Sequence, residues 1–301
     1  MKIVNFGSVN IDIVFDVDNI VLPGQTIASS AFSLYCGGKG ANQSVAVAQT
    51  NLIPIYHAGL IGSDGLWIKK KLEAFGVHTD FVFEIEEPSG QAFIQVAKNG
   101  QNSIVLYSGA NKKFTKQFVD TVFANFKKND WLMIQNETNL LPYIIEKAKE
   151  KGLNICFNPA PFDKSVLDLP LHLIDLLSVN ETEAQSLCGS DKIDEILVTL
   201  KERYPKTAVL LTLGKRGAIW SKGEQMFSYG NYNVPVVDTT GAGDTFIGYF
   251  LAAMVSGKSN YDSLKLASMA ANVAITKKGA MDSIPRIEEL SLLDLYGYIE
   301  F

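Results

Sequence analysis

In the last third of the chain, Val237-Asp238-Thr239-Thr240-Gly241-Ala242-Gly243-Asp244-Thr245-Phe246 sets two glycines ahead of an acid and an apolar stretch behind it. Phe246, Ile247, Phe250, Leu251, Met254 and Val255 recur at helical spacing, which predicts a buried helix starting near Ala242. The first turn of such a helix offers unpaired N–H groups and the positive end of the helix dipole. With no Cβ on Gly241 or Gly243, an oxyanion can come close to that backbone, beside the Asp244 carboxylate. A fixed base next to an anion cradle suits removal of a hydroxyl proton as that hydroxyl attacks a phosphoryl group. The competing reading is structural: Thr240 caps a core helix and the glycines only turn the chain.

Further polar clusters recur along the chain. Asn10 and Asp12 follow the first apolar run, Asn136 and Glu137 follow Trp131-Leu132-Met133-Ile134-Gln135, and Asn180 to Glu183 follow Leu176 to Val179. Thr212 to Gly217 follow Val209-Leu210-Leu211. Each alone could be a turn or a helix cap. All fall at strand ends, where doubly wound sheets bind ligands. Gly37-Gly38-Lys39-Gly40-Ala41-Asn42-Gln43 is glycine-rich with a lysine, but it lacks the P-loop spacing. Gly241-Ala242-Gly243 lacks the third glycine of the dinucleotide fingerprint, and no G-x-S-x-G elbow occurs. Cys36, Cys156 and Cys188, like His57, His78 and His172, are too scattered for a metal site or a catalytic triad.

The elements that must position these residues alternate. Strands are expected at 2–7, 54–61, 131–135, 154–158, 176–179 and 209–212, and helices at 64–75, 116–126, 140–151, 244–256, 261–276 and 288–298. Such alternation implies an α/β fold with a doubly wound, mostly parallel sheet in a single domain spanning 1–301. Two alternating segments, about 13–36 and 81–104, have no helix between their strands. They predict a small antiparallel sheet that projects as a lid, with 81–83 and 91–97 as its second strand pair. With 301 residues, 47% hydrophobic, the chain can bury a large core. A net charge of −5 argues against nucleic-acid and anionic-membrane partners, and no apolar run reaches a membrane span. A cytoplasmic protein is expected.

On the Gly37–Gln43 and Val237–Phe246 motifs, the chain resembles the PfkB family of carbohydrate kinases over nearly its full length. The resemblance implies a Rossmann-like core, a β-sheet lid that often pairs two subunits into a homodimer, and transfer of the γ-phosphoryl of ATP to a primary hydroxyl. Asp244 would be the base, with the Gly241, Ala242 and Gly243 amides cradling the transferring group. Asn10, Asp12, Gly38, Lys39, Asn42 and Glu137, with Asp244 itself, match the sugar-binding set, and Gln135-Asn136-Glu137 directs the expectation toward D-ribose. Asn180, Thr212, Gly214, Lys215, Arg216, Gly217, Gly243 and Ser268 match the nucleotide set. Glu183 would hold Mg²⁺ through water. Asp238, Thr240, Ala274, Lys277, Gly279 and Ser283 would surround K⁺. Alternatives are a kinase for 2-deoxyribose, fructose or a similar sugar, and a non-catalytic sugar-binding regulator.

Overall fold

The protein is described by a computed structural model covering residues 1–301. Its strands are β1 (Ile3–Phe6), β2 (Asn10–Val17), β3 (Ala31–Gly37), β4 (Ile55–Ile61), β5 (His78–Glu84), β6 (Gly90–Ala97), β7 (Asn102–Tyr107) and β8 (Trp131–Gln135). They continue with β9 (Asn154–Asn158), β10 (Leu176–Asn180), β11 (Ala208–Thr212), β12 (Ala218–Lys222), β13 (Gln225–Tyr229), β14 (Asn231–Tyr232) and β15 (Tyr298–Ile299). Nine of them form the main sheet in the order β13-β12-β11-β10-β9-β8-β1-β4-β5. It is parallel from β11 to β5 and ends in the antiparallel β12–β13 hairpin.

Helices cover both faces, so the central strands are buried on both sides and read as continuous apolar runs. On β1, Ile3 enters the core formed with α1 (Lys39–Ala48), α2 (Leu66–Ala74), α7 (Ala242–Val255) and α8 (Asn260–Ala274). Val4 and Phe6 enter the opposite core, with α3 (Lys116–Phe123), α4 (Leu141–Glu150), α5 (Glu181–Cys188) and α6 (Ile193–Arg203). The period of two along β1 thus sorts its side chains between two layers. It also turns Asn5 toward α1.

A second sheet of four strands, β3-β2-β6-β7, stands off the main body as the expected lid. Its composition differs from expectation in three respects. Residues 81–83 lie in β5, which pairs in parallel with β4 at the edge of the main sheet. The intervening α2 is a crossover helix, and Val82 is drawn into the main core while Phe81 packs against the other. The lid's second half therefore runs over 90–107 rather than 81–104. Its central pair, β2 and β6, is parallel, whereas β2–β3 and β6–β7 are antiparallel.

Helix α6 and the β12–β13 hairpin were not anticipated. Residues 288–298 do not form the expected α-helix but a 3₁₀ run over Ile287–Leu295. Its buried residues, Leu290 and Leu293, are three apart, the spacing that a 3₁₀ turn eclipses.

Candidate active site

The site forms where α1 and α7 meet above the carboxyl ends of β1, β8 and β10. Two glycine contacts set that meeting. A Cβ on Gly248 would fall 2.4 Å from Ala46 Cβ and 2.8 Å from the Gln43 carbonyl oxygen, so α7 lies directly against α1. A Cβ on Gly7 would lie 2.5 Å from Gly40 Cα, so the start of α1 sits against the end of β1. Without these close approaches, the first turns of the two helices could not share one set of side chains.

Helix α7 is capped by Gly241 itself, at φ 76, and no side chain satisfies its first N–H groups. Thr240 donates its hydroxyl to Asp238 Oδ1 at 2.7 Å instead, so the reading of Thr240 as the helix cap fails. Nothing lies within 4 Å of where a Gly243 Cβ would stand, which leaves the space before this turn open. The orphan donors and the dipole therefore face an unfilled volume, the physical requirement for an anion cradle.

Asp244, in the first turn of α7, is only 8% exposed. Its Oδ2 accepts from Asn42 Nδ2 at 3.1 Å and its Oδ1 from Gln43 Nε2 at 3.0 Å. Asn42 was expected among the sugar contacts; it also holds this carboxylate, and its own Oδ1 is buried with no partner. Gln43 was not expected in the site at all.

Around Asp244 stand the other groups expected to face a sugar. Glu137 accepts from the Lys39 backbone N–H at 3.0 Å and from the Ser8 hydroxyl. Burial raises the Glu137 carboxyl above its usual range, opposed by the Ser8 bond and by Lys39. Burial, reinforced by the Glu137 and Asp244 carboxylates, pushes Asp12 up to about 7. The ammonium of Lys39 is raised chiefly by Asp244, with Glu137 and Glu183 adding to it. Lys39 is thus the shared cation of a carboxylate-rich centre.

Gly37 makes room for Asp12, whose carboxylate would lie 2.1 to 2.2 Å from a Cβ there. Gly38, at φ 93, turns the chain into α1. Asn10 Oδ1 accepts from Asn111 Nδ2 at 2.7 Å, which leaves the Asn10 amide N–H₂ as its free end. Asn136 points elsewhere, donating to the Pro161 carbonyl and to Asp163.

On the other side of the cradle lies an open cleft of about 460 Å³. Asn180, Thr212, Gly214, Lys215, Gly217 and Gly243 line it as expected, together with the apolar Val236, Phe246, Ala271 and Ile275. Two expected residues are absent from its wall. Arg216 pairs with Glu181, and the buried Ser268 donates its hydroxyl to the Gly230 carbonyl at 2.7 Å. One helical turn beyond Ser268, Asn272 reaches the wall, as does Asn231, whose Nδ2 donates to the Gly214 carbonyl at 2.8 Å.

Between cleft and sugar side lies a chamber of about 260 Å³ lined by Lys39, Ser178, Glu183, Gly241, Gly243 and Asp244 among others. Asn180, Thr212, Thr239 and Gly243 line both spaces, so they communicate. Glu183 closes a capping box with Asn180: its Oε2 accepts from the Asn180 backbone N–H at 3.0 Å while its own N–H donates to Asn180 Oδ1 at 2.9 Å. The buried Ser178 hydroxyl has no partner. An oxygen-rich wall with an orphan hydroxyl fits a hydrated hard cation. No group of three or more His, Cys, Asp or Glu side chains is placed to hold a metal by itself.

For the second cation, Asp238 accepts from Thr240 and from the Gly279 N–H at 2.9 Å, which brings three of the expected residues together. These bonds hold its carboxyl below the usual range against partial burial. The other side chains turn away: Lys277 pairs with Glu289, and Ser283 donates to the Ala280 carbonyl. The Ala274 carbonyl accepts from the Lys277 N–H at 3.0 Å. Only backbone oxygens of these residues remain as candidates.

Comparison with known proteins gives concordant results. The model of the pfkB family of carbohydrate kinases matches residues 1–287. The chain is 36% identical over 299 residues to the ribokinase of Haemophilus influenzae, covering 96% of this chain and 97% of that one. It is 32% identical over 301 residues to the deoxyribokinase of Salmonella typhi, covering 97% and 98%. Among solved structures, the ribokinase of Arabidopsis thaliana complexed with ribose and ATP is similar at a TM-score of 0.87 and 31% identity, covering 97% and 98%.

Proposed function

The chain belongs to the pfkB family of carbohydrate kinases, and on that premise we propose that it transfers the γ-phosphoryl group of ATP to the primary hydroxyl of D-ribose, giving D-ribose 5-phosphate. The observation that carries the reading is the chamber in which the Asp244 carboxylate stands beside the unpaired amides of Gly241 and Gly243, between a polar sugar side and a separate cleft. In this account Asn10, Asp12, Gly38, Lys39, Asn42 and Glu137 hold the sugar. Amides and carboxylates match hydroxyls that an apolar wall would leave unpaired, which is how a polar site discriminates among sugars. Asp244 takes the proton of the attacking hydroxyl, and the amides at the start of α7, with Lys39 nearby, balance charge on the transferring group.

Asn180, Thr212, Gly214, Lys215 and Gly217 hold the nucleotide phosphates and ribose, and Val236, Phe246, Ala271 and Ile275 offer an apolar surface to the base. Mg²⁺ bound with ATP would neutralise phosphate charge, and Glu183 with the Ser178 hydroxyl would hold its water shell. The backbone around Asp238, Thr240 and Gly279 is where a K⁺ ion would support the cradle. The lid sheet leaves Phe32, Leu34, Ile104, Val105 and Leu106 exposed, which supports pairing of two lids in a homodimer. A single monomeric sedimentation boundary at micromolar concentration would contradict that pairing.

The direct test is ADP release with Mg·ATP over D-ribose, 2-deoxyribose, D-fructose and adenosine, each with and without K⁺. Turnover led by ribose and raised by K⁺ is the expected result. Turnover led by another sugar would overturn the specificity and leave the phosphoryl-transfer chemistry standing.

A further inference from the structure

Beneath the site runs a chain of buried amides that the reaction described above does not use. Asn5, Gln135 and Gln43 are all within 1% of complete burial and lie on the α1 face of the sheet. An amide side chain could face either way, but here one backbone carbonyl fixes the polarity. The Gly40 carbonyl accepts from Asn5 Nδ2 at 2.8 Å, so Asn5 Oδ1 must point to Gln135. Gln135 Nε2 then donates to Asn5 Oδ1 at 3.1 Å and to Gln43 Oε1 at 2.7 Å. With its oxygen so engaged, Gln43 can only present its N–H₂ group upward. One hydrogen goes to Asp244 Oδ1 at 3.0 Å and the other to Asn158 Oδ1 at 3.3 Å. Asn158 in turn donates to the Ser178 carbonyl at 3.0 Å.

We propose that Gln43 is the positioning residue for the base, with Asn5 and Gln135 fixing the direction in which its amide donates to the Asp244 carboxylate. The proposal rests on the reading of Asp244 as the base. A chain that merely satisfied buried polar groups could end on any acceptor. This one ends on the carboxylate of the chamber, and the neighbouring Asn42 grips the other oxygen. Two donors from adjacent residues of α1 hold the carboxylate plane, so one oxygen lone pair stays aimed at the incoming hydroxyl. Holding a reacting group to within a fraction of an ångström is worth large factors in rate and little in ground-state affinity.

The test measures kcat and KM for ribose and ATP in Gln43→Met, with and without Asp244→Asn, and thermal unfolding as a fold control. Gln43→Met is expected to lower kcat roughly 10- to 100-fold. Both KM values should stay within about threefold, the pattern of an interaction realised in the transition state. In the Asp244→Asn background the same change should alter kcat less than about twofold, because the group it positions is gone. Equal fold-losses in both backgrounds, or a loss confined to KM, would overturn the proposal. Should Gln43→Met not fold, Gln135→Met decides. It frees the Gln43 amide without touching the chamber, and the same dependence on Asp244 is required of it. Full turnover by Asp244→Asn alone would instead remove the base reading on which this inference stands.

Discussion

The two ends of the site are built differently. Around Asp244 both carboxylate oxygens are already held within the protein before any ligand arrives, and the side chains that hold them are buried in the sheet-facing half of α1. Across the cradle, Gly214, Lys215 and Arg216 are exposed, and the cleft is larger than the chamber and has an apolar wall. The difference follows from what each end must do. A hydroxyl has to be deprotonated and aimed, which requires a base fixed in place before the reaction. A nucleotide brings its own charge and metal, and can be gripped by backbone amides and a stacking surface as it docks. Preorganisation is concentrated on the nucleophile's side, and substitutions on the two sides should differ in kind as well as in size.

Apart from loss of the base itself, the largest of the effects that probe this contrast is expected at the junction. Glu183→Gln keeps the shape but weakens the wall that would hold a hydrated cation. It should lower kcat roughly 10- to 100-fold and raise the Mg²⁺ concentration for half-maximal rate, the range typical of outer-shell metal residues. A loss that excess Mg²⁺ does nothing to relieve would place Glu183 with the base rather than with the nucleotide.

Next comes the pH response of the sugar side. Asp12 is raised by burial and by Glu137 and Asp244 to about 7, so between its ordinary value of 3.8 and that point the free protein carries a proton that the unfolded chain has released. The sign follows from that surplus proton. Stability contributed by this group declines as pH rises through the window, while the carboxylate form proposed to accept sugar hydroxyls appears. The expected outcome is a kcat/KM for ribose that climbs with pH, by up to about tenfold per unit, and levels near 7, with Asp12→Asn flattening the climb. A wild-type profile that is level from pH 5 to 7 would refute it.

The smallest effect belongs to the open cleft. Lys215→Ala removes an exposed charge and should raise the KM for ATP only a few-fold, more at low salt than at high, since water and ions screen it. A hundredfold change there would mean that the cleft closes on its ligand far more tightly than its open form implies.

Much of this architecture could be read from the sequence because its signals are local. Glycine runs, acids after apolar strands and the helical spacing beyond Phe246 each depend on residues a few positions apart. What could not be read depends on distance. Gln43 meets Asp244 across 201 positions, and no pattern within α1 distinguishes an amide facing a carboxylate from one facing solvent. The β5 segment misled for a related reason: Phe81-Val82-Phe83 is a sound strand whose partner is set by the crossover helix before it. Ser268 turns away from the cleft, and Asn272 faces it four residues later on the same helix.

The claim that joins these points is that Asp244 is a prebuilt base and not a sugar anchor. Measuring ribose binding by calorimetry and ADP release in parallel for Asp244→Asn tests it most directly. The account predicts turnover lower by about 10²- to 10⁴-fold, the usual range for a lost general base, with ribose still bound within about tenfold of the unsubstituted protein. Turnover within a few-fold of normal, or ribose binding abolished along with it, would contradict the account.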